Sequence, residues 1–145
     1  MSETVPQTFS NHARYDPWFH FFALPVFLIS WVASIVLLVR HPSMLAAWEV
    51  VFASAAVVAV FKIRLYALKV QDRVIRLEER LRLATLLPES ARAGIASLTE
   101  DQLVALRFAC DAELPALAER CASEKLGRKD VKKAIQTWRP DYWRV

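Results

Sequence analysis

At 145 residues the chain is about one domain long, and its two glycines leave it without a phosphate-cradling loop or a dinucleotide fingerprint. Two cysteines with no CxxC pair exclude a zinc site of the usual kind. A mean hydropathy of +0.24 with 23% charged residues is unusual for a soluble domain, and the net charge of +4 is concentrated in one stretch.

Residues 1–17 form a polar N-terminal segment. The stretch "RYDPWFHFF" concentrates aromatic side chains where a helix would enter a bilayer. Residues 18–39 follow, running from Trp18 to Val39 without a formal charge. That is enough to cross about 30 Å of hydrocarbon at about 1.5 Å rise per residue. The run begins too late and is too long for a cleaved signal peptide, and no A-x-A site follows, so an uncleaved anchor is expected. Pro25 is expected to bend this helix, because its ring removes the bond to Phe21. Residues 40–43, "RHPS", are a turn too short to recross a bilayer, and residues 44–61 are a second apolar run interrupted only by Glu49. Lys62 and Arg64 can snorkel while Ile63, Leu65 and Leu68 extend its apolar surface. A soluble fold would have to hide both runs on every side, and the remaining chain is too small to do so.

Two transmembrane helices in an antiparallel hairpin are therefore expected, with Ser30 and Ser34 on one and Ala55 and Ala59 on the other allowing close approach. Seven basic residues against three acids follow the second run, so that side and both termini are expected in the cytoplasm.

From 62 to 87 the chain turns polar with no glycine or proline to stop the helix, so a stalk continuing the second span is expected. Ile63, Ala67, Val70, Val74, Leu77, Leu81 and Ala84 alternate at spacings of 4 and 3, a coiled-coil-like seam in search of a partner. The partner could be the N-terminal segment, the C-terminal module or another copy. Lys62, Arg64, Lys69, Arg73 and Arg76 form a basic flank expected to face anionic headgroups. The last 58 residues carry only +1, so nucleic acid is not an expected partner.

Residues 88–145 read as a module of three short helices docked on the seam. Pro88 breaks the stalk, and Thr99 with Gln102 forms a capping box for a helix reaching Cys110. A second helix begins near Ala112 and stops at Gly127. A third spans Lys129 to Trp138, with Val131, Ala134, Ile135 and Trp138 inward. The closing "WRPDYWRV" either packs over this bundle, burying Trp138 and Tyr142, or serves as a partner-binding peptide.

His12, His20 and His41 all fall in the membrane half, and Cys110 and Cys121 read as reduced core residues. His20, beside Trp18, could ligate haem or chlorophyll, but the second span offers no histidine to complete a bis-His site, and an interfacial role is preferred. Glu49 reads as an interfacial acid. No catalytic residues, metal or cofactor are expected.

"NHARYDPWFHFF", "RLYALKVQDRVIRLEERLR" and "LRFACDAELPALAER" with "KKAIQTWRPDYWRV" resemble a family of small, two-span bacterial inner-membrane proteins of unknown function. The resemblance covers Asn11 to Val145, and Cys110 stands where the pattern has serine. It implies an all-α membrane architecture and supplies no functional residues. The expected function is a non-enzymatic accessory or scaffold subunit, or a homo-oligomer, acting through protein contacts. The alternative is a pigment- or haem-ligating subunit of an electron-transfer or photosynthetic complex.

Overall fold

The structure is a computed structural model describing residues 6–12 and 15–141. Tyr142 and the rest of the closing peptide, like Arg14, lie outside the described residues. Among those described the protein is all-helical, and it divides into two compact units: 15–69, and 6–12 with 70–141.

The first unit opens with a π-helical turn, Trp18–Ala23, that leads into α1, Leu24–Arg40. Asp16 starts it by accepting the Trp18 and Phe19 N–H groups at 3.0 and 3.2 Å. This wider turn lies directly ahead of Pro25. The Leu24 N–H reaches back to the Phe19 carbonyl, and Pro25, which has no N–H to give, sits in the first turn of α1 where none is needed. The Ser43 hydroxyl then caps α2, Met44–Leu86, by accepting the Ala46 N–H at 3.1 Å.

α1 and α2 meet through the Trp31 indole N–H, which donates to the Ser54 hydroxyl at 2.9 Å, while that hydroxyl donates to the Val50 carbonyl. Ser34 of α1 and Ala46 of α2 are buried. Ala55 and Ala59 are exposed, so the close-approach face of α2 is not the one expected. An indole N–H among apolar side chains needs an acceptor, and Ser54 turns its own face of the helix inward to provide one. The most apolar windows of the two helices are 0% and 6% buried inside the protein, which is the opposite of a soluble core hairpin.

The second unit packs a helical module on the stalk part of α2. The chain leaves α2 at Leu86, passes Pro88 and forms a 3₁₀ segment, Glu89–Ser97. It continues into α3, Glu100–Leu106, α4, Leu114–Glu124, and α5, Arg128–Ala134. Leu83 of α2 joins Leu103, Leu106, Phe108, Leu114 and Val131 in a core with no exposure at all.

The module differs from expectation at three places. Leu106, not Cys110, ends α3, because the chain then pairs with the segment after α5. The Cys110 N–H donates to the Thr137 carbonyl at 3.1 Å and the Arg139 N–H to the Phe108 carbonyl at 2.7 Å. For the same reason α5 stops at Ala134 and Trp138 comes inward on extended chain. The Glu113 carboxylate holds that chain by accepting the Gln136 and Thr137 N–H groups. Lys125, at φ 51°, makes the left-handed end of α4, while Gly127 instead heads α5 in extended conformation.

Gln102 binds these short helices together. Its side chain is buried, its Oε1 accepts the Thr99 N–H at 2.8 Å, and its Nε2 donates to the carbonyls of Cys121 and Leu126 at 2.7 and 3.0 Å. With the Thr99 hydroxyl on the Gln102 N–H, the expected capping box is complete. Gln102→Ala removes three bonds and strands a buried carbonyl, and is expected to destabilise the module by about 2–4 kcal/mol. Chemical denaturation followed by the fluorescence of Trp138 measures it, and a loss below about 1 kcal/mol would mean that the amide does not join the helices.

Candidate functional site

The stalk part of α2 has two unlike faces. Ile75, Glu79 and Leu83 are buried under the module. The expected seam lies on the other side: Val70 is 62% exposed, Val74 49%, Leu77 61% and Leu81 60%. Ile63 is also exposed, and Ala67 and Ala84 are half-buried. The module therefore does not dock on the seam.

Arg82 sets this orientation. Its Nε donates to Asp111 at 2.6 Å, one terminal nitrogen to Glu79 at 3.0 Å and the other to the Ala109 carbonyl at 2.7 Å. Arg76, one turn away from Glu79 on the same side, pairs with Glu100 of α3. Apolar spacing alone favoured the seam, but the charged partners of the module lie opposite Arg76 and Arg82. Glu79 is nearly buried between Arg82 and, at 3.8 Å, Arg139. Burial raises its carboxyl above the ordinary value, outweighing the two arginines that pull it down.

The basic flank is divided. Lys69 and Arg73 are exposed, and Lys62 lies over the Tyr66 ring at 5.7 Å. The Arg64 guanidinium covers the Phe19 ring at 5.5 Å, and Arg76 faces the module, donating also to the Asp72 carbonyl.

His12 lies on the module, not with the membrane half. Residues 6–12 form a strap whose Thr8–Asn11 turn is closed by the Asn11 side chain, which accepts from the Thr8 N–H and donates to the Pro6 carbonyl. Gln7 exchanges two hydrogen bonds with the Asp141 backbone at 3.1 and 2.9 Å. The His12 ring packs on Phe108 and Trp138, its Nδ1–H donates to the Phe9 carbonyl at 2.7 Å, and its Nε2 accepts from the Lys132 ammonium at 3.0 Å. These contacts assign a neutral imidazole. Nothing local in the sequence marks this histidine; only the aromatic residues near both ends hinted at a common cluster.

His20 sits at the start of the π-helical turn with its Nδ1 on the Asp16 carbonyl at 2.8 Å and its ring against Tyr15 and Phe19. Among the described residues no group of three or more His, Cys, Asp or Glu side chains could hold a metal ion. Cys110 is half-buried, and burial pushes the Cys121 thiol up to about 11. Glu49 is exposed at the rim of a cleft of about 640 Å³ beside Ser30 and Ser34.

A helix that changes from apolar to charged along its length, and there carries a docked module on one side and an open apolar stripe on the other, defines an all-helical protein with two helices long and apolar enough to cross a membrane. The chain belongs to a family of unknown function, DUF6526, whose model matches residues 1–145. No curated protein and no solved structure matches it.

Because burial raises the Glu79 carboxyl, the docked state holds a proton more readily than an undocked stalk. This group therefore favours docking below its ordinary value of 4.5, and that contribution is lost as the pH rises through the raised value. Protease protection of the module should accordingly include a Glu79-dependent gain as the pH falls from neutral toward that ordinary value. Glu79→Gln, compared at each pH, removes that part of the dependence; identical profiles in both chains would show that Glu79 does not sense docking.

Proposed function

We propose that this is a non-enzymatic protein of the bacterial inner membrane that acts through protein contacts, as an accessory or scaffold subunit of a larger membrane assembly or as a homo-oligomer. Its two apolar segments cross the bilayer as a hairpin, with both termini in the cytoplasm. The single observation that carries the contact role is the open seam. Four large apolar side chains, each about half or more exposed, stand in line on the polar part of α2, where lipid does not cover them. The near-complete exposure of the apolar windows supports the membrane placement. Lys62, Arg64, Lys69 and Arg73 beside the second span support the cytoplasmic assignment and contact with anionic headgroups.

Two measurements test this reading. With Cys110 and Cys121 replaced by serine, an impermeant thiol reagent applied to intact cells should label Ser43→Cys and spare Ser90→Cys until the membrane is opened. The reverse pattern would invert the topology. In mild detergent the native protein should migrate well above one 16.6 kDa chain. Joint replacement of Val70, Val74 and Leu77 by serine should return it to that size. A protein that is already monomeric and yields no partner from its own membranes would refute a contact role.

A further inference from the structure

We propose that the partner of the seam is a second copy of this chain, and that the two stalks form a parallel, in-register pair closed by two reciprocal Arg73–Glu78 bridges. The parallel sense rests on the membrane reading above: two copies in one bilayer send their stalks out of the same face in the same direction.

The heptad positions of the stalk carry the argument. With Val74 and Leu81 at a and Val70, Leu77 and Ala84 at d, Arg73 falls at g and Glu78 at e. In a parallel pair a g residue faces the e residue five positions further along the partner helix. Five positions beyond Arg73 is Glu78. The symmetry of the pair makes the same bridge twice. Both side chains are exposed, and among the described residues neither takes part in an ion pair.

The neighbouring contacts in this register are also compatible. Tyr66 faces Gln71 and Arg80 faces Thr85, so no like charges meet along the seam. An antiparallel pair would bring g against g and set Arg73 beside Arg80, a repulsion that disfavours the alternative. The heptad that starts at Val74 has a β-branched residue at a and leucine at d, the combination that favours two strands.

The fold leaves room for this partner. The residues under the module, Ile75, Glu79 and Leu83, occupy positions b, f and c, the outer face of a coiled-coil helix. Each copy can therefore keep its module while its a and d side chains are covered. A seam this short pairs weakly in free solution, but confinement to one bilayer raises the effective concentration of the second copy.

The test uses full-length chains with two different affinity tags, co-expressed and extracted in mild detergent. The Arg73→Glu chain presents acids at both flanking positions and the Glu78→Arg chain presents bases at both. Each alone should self-pair about tenfold less than the unmodified chain. Together they should pair with each other as well as two unmodified chains do, because both bridges are rebuilt with opposite polarity. Since both side chains are exposed and, among the described residues, make no hydrogen bond or ion pair, protease protection of the module should be unchanged, and this checks that each variant folds. Self-pairing that survives either change, or failure of the mixed pair to form, would overturn the proposal.

A photo-crosslinker at Val74 of the unmodified chain separates this proposal from the broader one. A covalent dimer of the chain with itself is the expected product. An adduct with a different protein, from a chain that is otherwise monomeric, would overturn self-pairing and leave the contact role standing. No adduct of either kind would overturn both.

Discussion

The fork of Arg82 decides which side of the stalk is inside. A guanidinium is planar, permanently charged and able to serve several acceptors at once, so it can fix both the position and the rotation of whatever binds it. Here it holds the Glu79 carboxylate of its own helix together with the Asp111 carboxylate and the Ala109 carbonyl of the module. With the 109–111 turn anchored there, Leu83 and Ile75 are drawn under the module and the apolar stripe through Val70, Val74, Leu77 and Leu81 is left outside. A buried ion pair can be costly, and burial does raise the Glu79 carboxyl. What the arrangement supplies in return is a choice of face that apolar packing alone would not have made.

The module compensates for the shortness of its helices with cross-connections. α3 and α5 have seven residues each and α4 has eleven, lengths at which an isolated helix is marginal. Each is held by side chains from elsewhere: Gln102 joins the start of α3 to the end of α4 and the loop beyond, and Glu113 holds the extended chain after α5. The strap of residues 6–12 adds His12 to Phe108 and Trp138 and ties Gln7 to Asp141. The segment before the first apolar helix and the module after the second thus share one packed cluster. A left-handed Lys125 fits the same pattern, since the Gln102 bonds on either side of it offset a conformation that costs about 1–2 kcal/mol for a residue with a Cβ.

Much of this architecture follows from local chemistry. The lengths of the apolar runs, the lack of any glycine or proline between Met44 and Leu86, and the capping pair Thr99 and Gln102 each act within a few residues, so they determine helices wherever the rest of the chain goes. The seam itself is also local, a matter of spacing. The tertiary structure decided what covers each face. Apolar spacing along the stalk favours the stripe through Leu77, whereas the face that is covered, through Ile75 and Leu83, is interrupted by Glu79 and is marked by nothing local. That choice came from Arg82 and Arg76 meeting acids of the module. His12 and Trp138, distant in sequence, entered one cluster for the same kind of reason. Ser54 displaced Ala55 and Ala59 from the contact with α1 because the indole N–H of Trp31 required an acceptor. In each case the deciding group is polar, and its partner lies beyond the range over which neighbouring residues constrain one another.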